Sequence, residues 1–177
     1  MAIWRFNLPT GLTLSRIVVI PFFIFVTPTH PLLGALLFLI AALTDFLDGY
    51  LARLSGQITT FGIIMDPIAD KFLVISALIL LVDTGSLPAW IAIIVIVREF
   101  SITALRVVAL SRNIVIKAEM GGKVKTLTQM AAILCLIVKD SLAFVDLTHA
   151  GMVLIVLSLI LAIASALQYT VNFWRNI

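Results

Sequence analysis

The chain has 177 residues, 62% of them apolar and only 12% charged, with a mean hydropathy of +1.21 and a formal net charge of +3. That balance excludes an ordinary soluble domain and points to a multi-span membrane protein. The small positive charge reflects an uneven placement of Lys and Arg and does not suggest nucleic acid as a partner. At about 20 residues per span, six helices with short loops consume nearly the whole chain. The expected fold class is therefore an all-α integral membrane protein, a single domain over residues 1–177 whose spans themselves carry the function.

In chain order, the apolar segments fall at 8–27, 31–54, 60–82, 88–110, 126–144 and 150–173. T-P-T-H-P at 27–31, D-T-G-S-L-P at 83–88 and D-L-T-H-A-G at 146–151 punctuate them with turn chemistry. The first segment contains Arg16 and lacks a small-residue cleavage site, so it reads as a span and not as a signal peptide. Threading six spans puts eleven of the twelve basic residues on one side or in the span halves nearest it, and only Lys139 on the other. The positive-inside rule then predicts both termini in the cytoplasm. Trp4 and Trp174 fall at the cytoplasmic interface and Trp90 at the outer one, as aromatic anchors. The one cysteine, Cys135, sits mid-span and reads as a small buried apolar residue.

The second span ends in T-D-F-L-D-G-Y-L-A-R (44–53), and the third carries G-I-I-M-D-P-I-A-D-K (62–71). Asp45 and Asp48 stand at i and i+3, Asp66 and Asp70 at i and i+4, so each pair shares a helix face. A short connection makes the two helices antiparallel neighbours, bringing four carboxylates together just inside the cytoplasmic interface. Carboxylates that close require a compensating cation. Oxygen-only ligands on a helix pair suit hard divalent ions, Mg²⁺ or Mn²⁺, in a two-metal site of the kind that clamps phosphoryl oxygens. Gly49, Ala52 and Gly62 lie along the same faces and leave space for a bulky ligand, while Lys71 and Arg53 add positive charge. A competing reading makes Asp66 a helix N-cap with Pro67 at the first helical position. A helix from Asp66 to Val82 spans only roughly 25 Å, short of a ~30 Å hydrocarbon core. A start near Thr60, with Pro67 as a local kink inside the helix, is the expectation.

The pattern formed by Asp45, Asp48, Gly49, Ala52, Arg53, Gly62, Asp66 and Asp70 fixes eight positions within 26 residues. It resembles the signature of the CDP-alcohol phosphotransferases. The resemblance implies a six-helix membrane fold that displaces CMP from a CDP-linked donor. It assigns Asp45, Asp48, Asp66 and Asp70 to two divalent cations at the donor pyrophosphate, with Asp70 also the general base. It places Gly49, Ala52, Arg53 and Gly62, with Asn7 and Thr10 near the N-terminus, at the CDP donor. A pocket at the cytoplasmic interface suits CDP-diacylglycerol, whose tails can stay among membrane lipids.

Basic residues at the cytoplasmic ends of the fourth and fifth spans bear on the acceptor. Arg98 and Arg106 are eight residues apart, about 12 Å along a helix, and Lys123 and Lys125 sit in G-G-K-V-K-T, just before the fifth span. Arg suits bidentate phosphate binding and Lys acts as a point charge. The alternative is that such residues snorkel to the interface. That alternative is weaker for Arg98, which lies well inside the span and needs a partner, with Glu99 its neighbour in sequence.

The runs 7–23, 98–106, 122–130 and 167–169 resemble the bacterial phosphatidylglycerophosphate synthase branch of the family. That implies glycerol 3-phosphate as acceptor, held by Arg98, Arg106, Lys123 and Lys125, and a homodimer in the bacterial inner membrane with its active site facing the cytoplasm. One departure is Val107, where the family often has an acidic residue after the arginine. Relatives with the same chemistry use other acceptors, namely phosphatidylglycerol, serine or inositol phosphate. An ion-coupled transporter would place its acids near the midplane and repeat its architecture, and neither feature is seen here.

Overall fold

A computed structural model describes the backbone of residues 8–55, 60–111, 120–139 and 147–175, and side chains at 17–44, 71–105, 107–108, 124–139, 147–168 and 170–171. The described residues form six helices: α1 (Leu8–Val26), α2 (Pro31–Ser55), α3 (Thr60–Asp83), α4 (Ala89–Ser111), α5 (Met120–Val138) and α6 (Leu147–Arg175). No strand occurs among them. The apolar runs set the first four helices to within a residue or two. The start of α3 at Thr60 excludes the N-cap reading of Asp66, which lies in the second turn, and puts Pro67 inside the helix.

The fifth element differs from its expected span. It begins at Met120, six residues ahead of residue 126, so Lys123 and Lys125 lie in the first turns of α5 and not before it. Hydropathy marks where side chains turn apolar, whereas the backbone hydrogen-bond ladder can start earlier on polar residues. Gly121 and Gly122 cost about 1 kcal/mol each in a helix relative to Ala and are carried by the rest of it. At the other end α5 stops at Val138, with Lys139 in a turn, and not at residue 144.

Two compact units divide the chain, Met1–Leu80 and Leu81–Ile177. In the first, α1 and α2 form a hairpin closed by His30 N–H donating to Val26 O at 2.8 Å and Gly34 N–H donating to His30 O at 3.0 Å. Phe23 and Phe38 are fully buried with ring centroids 5.9 Å apart. Gly34 is required by the close approach of the two helices: a Cβ there would meet the Thr27 Cα at 2.9 Å, with the Thr27 hydroxyl nearer still.

The second unit opens with the end of α3. Gly85, at φ +67°, donates to Val82 O at 3.0 Å, and Ser86 donates to Leu81 O at 2.8 Å. This is the Schellman arrangement, and glycine fills the left-handed position without strain. The core of this unit lies mainly between α5 and α6, where Ala132, Ile133, Leu136 and Ile155 are buried. Gly151 on α6 brings the two helices together, since a Cβ there would stand 2.7 Å from Leu136 Cγ and 3.2 Å from Cys135 Cβ. Cys135 is half-buried, less enclosed than its mid-span position suggests.

Outward faces are apolar. Phe22, Phe25, Trp90, Leu127, Val153 and Leu167 are each more than half exposed. Such a surface suits lipid and not water, since soluble proteins rarely expose broad apolar patches. Among the described residues one stretch, Leu147–Gln168 on α6, is long and apolar enough to cross a membrane, and Ile17–Val26, Pro31–Thr44 and Val124–Val138 are shorter apolar helices.

Candidate functional site

The eight-position aspartate pattern falls on two consecutive helices. Asp45, Asp48, Gly49, Ala52 and Arg53 lie in the last three turns of α2, and Gly62, Asp66 and Asp70 in the first three of α3. The spacing condition holds, because positions three and four apart are one turn apart on a helical backbone. Thr10 is in the first turn of α1. The side chains of these residues, and Asn7 altogether, lie outside the described set, within which no cluster of metal-ligating groups occurs.

The basic group predicted for the acceptor divides in the same way. Arg98 and Arg106 are on α4, Lys123 and Lys125 on α5. The side chains of Arg106 and Lys123 lie outside the described set, while Val107 is 64% exposed. Arg98 and Lys125 are described, and the structure brings them to one carboxylate. Glu99 Oε1 accepts from Arg98 Nη1 at 3.1 Å and also from Lys125 Nζ.

Arg98 is held on its other edge as well. Its Nε donates to Ala162 O on α6 at 2.9 Å, and its Nη2 donates to Ser165 Oγ. Ser165 Oγ in turn donates to Ala162 O at 3.0 Å, so hydroxyl and carbonyl form a preset acceptor pair on α6. The Glu99 backbone carbonyl accepts from Thr103 Oγ1 at 2.8 Å. Side-chain exposures are 11% for Arg98, 21% for Glu99 and 5% for Lys125, so the alternative of interface snorkelling is excluded for Lys125.

Burying charge in a low-dielectric interior is tolerable only with paired partners and satisfied hydrogen bonds, and this node supplies both. Over these three side chains, two positive charges meet one negative. One turn along α5 from Lys125, Gln129 is 4% exposed, and its Nε2 has no hydrogen-bond partner.

The sequence pointed to Glu99 as a partner of Arg98 but not to its bond with Lys125, nor to Ser165 or Gln129. The signals were weak but present: an acidic residue directly after Arg98 in an apolar run, and a polar residue at i+4 from Lys125. Nothing in the sequence singles out the carbonyl of Ala162.

Comparison with known proteins identifies the family. A family model described as CDP-alcohol phosphatidyltransferase matches residues 6–164. A CDP-diacylglycerol–glycerol-3-phosphate 3-phosphatidyltransferase of Bacillus subtilis is 42% identical over 76% of this chain and 78% of its own. Proteins of the same name are 37% identical in Wigglesworthia glossinidia brevipalpis, over 98% of both chains, and 38% identical in Escherichia coli K12, over 93% of both. With the family's model spanning α1 through most of α6, the chain belongs to the CDP-alcohol phosphatidyltransferase family.

Proposed function

We propose that the chain transfers the phosphatidyl group of CDP-diacylglycerol to glycerol 3-phosphate, giving phosphatidylglycerol phosphate and CMP. The observation that carries this reading is the eight-position pattern on α2 and α3, in a chain similar over nearly its full length to proteins named for that reaction.

The donor set fits divalent cations. Asp45, Asp48, Asp66 and Asp70 offer only carboxylate oxygens, with no soft ligand among them, at positions one turn apart on their helices. Two bound Mg²⁺ or Mn²⁺ ions would neutralise pyrophosphate charge and favour departure of CMP. The protein does the rest. Gly49, Ala52, Arg53 and Gly62, with Asn7 and Thr10, receive the nucleotide head. Asp70 accepts the proton of the glycerol 3-phosphate hydroxyl as its oxygen forms a bond to the phosphatidyl phosphorus. The bond from that phosphorus to the CMP oxygen breaks in line. Arg98, Arg106, Lys123 and Lys125 hold the acceptor's phosphate and orient its hydroxyl.

The finer architecture belongs to the same proposal. All six helices span a bacterial inner membrane, both termini and the site face the cytoplasm, and the protein works as a homodimer. The long apolar stretch of α6 and the apolar outward faces support the membrane setting. The uneven placement of Lys and Arg supports the orientation.

The test is CMP release by purified protein in detergent, with CDP-diacylglycerol, Mg²⁺ and a panel of acceptors. Release with glycerol 3-phosphate is expected. Release only with phosphatidylglycerol, serine or inositol phosphate would keep the reaction class and overturn the acceptor.

A further inference from the structure

We infer that Glu99 is a positioning residue for the acceptor, fixing the cations of Arg98 and Lys125 so that both can meet one phosphate. The inference rests on the proposed role of those cations in binding glycerol 3-phosphate.

A lysine ammonium sits on a long flexible stem, so a lysine held by nothing samples many positions. Lys125 does not have that freedom: its side chain is 5% exposed and its Nζ donates to a carboxylate that belongs to α4. That carboxylate is placed by Arg98, whose Nη1 reaches the same Oε1. Arg98 is in turn placed by α6 through Ala162 O and Ser165 Oγ, both in buried residues. Support therefore runs from α6 through Arg98 and Glu99 to Lys125. A phosphate is gripped best by donors already at the right spacing, because ordering them at binding would cost affinity.

A carboxylate beside an anion site also repels the anion. Glu99 could for that reason act as a placeholder, displaced when phosphate arrives. The geometry favours positioning. Arg98 is also bonded to α6 through Ala162 O and Ser165 Oγ, so displacing Glu99 would leave those two bonds of the guanidinium in place while Lys125 lost its contact with the carboxylate. The two roles have opposite signatures, since loss of a placeholder tightens acceptor binding and loss of a positioner weakens it.

The experiment compares Glu99→Gln, Glu99→Asp, Lys125→Gln and the double variant Glu99→Gln/Lys125→Gln of the full chain in detergent. Steady-state kinetics are measured with each substrate varied separately. Glu99→Gln is expected to raise KM for glycerol 3-phosphate by about tenfold or more, as losing a charge-assisted contact does, with KM for CDP-diacylglycerol within about twofold. Glu99→Asp should recover part of the loss. Lys125→Gln should add little in the Glu99→Gln background, because the carboxylate acts through the lysine.

A lowered acceptor KM in Glu99→Gln would overturn the inference in favour of a placeholder, and an equal rise in both KM values would reduce Glu99 to a structural group. If Lys125→Gln raises the acceptor KM and Glu99→Gln does not, the positioning role alone falls. If Lys125→Gln leaves it unchanged, the phosphate-binding reading falls first. Should Glu99→Gln not survive purification, Ser165→Ala removes one anchor of Arg98 and should raise the acceptor KM selectively, and an unchanged value would count against the relay.

Discussion

Arg98 Nε donates to the backbone carbonyl of Ala162 at 2.9 Å, so a side chain of α4 is tied to the main chain of α6. Three separate nitrogens of the guanidinium serve three acceptors: Ala162 O, Ser165 Oγ and Glu99 Oε1. A lysine has one nitrogen and no planar fork. Arg98→Lys should therefore destabilise the protein by about 2 kcal/mol, since buried acceptors would be left unmet. The measurement is thermal unfolding in detergent, where an unchanged midpoint would mean that the α6 contacts contribute nothing net.

Chemistry should respond at α3. Asp70→Asn keeps the size of the side chain and removes its basicity, so CMP release is expected to drop by a factor of at least about 10² with the fold intact. Near wild-type turnover would rule out Asp70 as the base.

Removing divalent cations with a chelator should abolish CMP release, and adding back Mg²⁺ or Mn²⁺ should restore it. Carboxylate-only sites prefer such hard ions. Full activity after exhaustive chelation, checked by elemental analysis of the protein, would contradict the donor-set argument.

Gln129 offers the opposite kind of test. Its buried Nε2 lacks a partner, and an unmet donor costs about 1–3 kcal/mol. Gln129→Met keeps the shape and removes the polar group, so in the absence of substrates stability should rise by about 1 kcal/mol, or about 2–4 °C in the unfolding midpoint. A lowered midpoint would show that the amide is doing structural work.

Gly34→Ala would place a Cβ against Thr27 at the tip of the α1–α2 hairpin. The nearest atoms include the Thr27 Cα, which cannot rotate away, so a loss of about 1–3 kcal/mol is expected. Unfolding midpoints of this variant and of Gly85→Ala separate the two ways a glycine is needed. Gly85 has open space for a Cβ and suffers only from its positive φ.

What could be read from the residues alone follows from the range of the interactions. Helix bounds along α1 to α4 were legible because apolar runs and turn residues are local signals, and the T-G-S of 84–86 maps directly onto the turn that closes α3. The start of α5 was not, because glycines and lysines read as loop although the helical ladder runs through them. The pairing of Arg98 with Glu99 was legible, being adjacent in sequence. Its bond to Ser165 crosses 67 residues, and that of Lys125 to Glu99 crosses 26, with no periodicity linking either pair. Long-range pairings of single polar groups leave no pattern in a chain, whereas four aspartates at helical spacing do.

The tie between α4 and α6 also sets an order of assembly. Ala162 is synthesised 64 residues after Arg98, which at about 5–20 residues per second is a delay of roughly 3–13 seconds. Glu99 leaves the ribosome next to Arg98 and can pair with it at once, so the cation of α4 is matched before the rest of its partners exist. Lys125 follows on α5, and only the arrival of α6 completes the node. Truncation before Ala162 would leave a nascent chain whose ion pair has formed but whose guanidinium still lacks its α6 contacts.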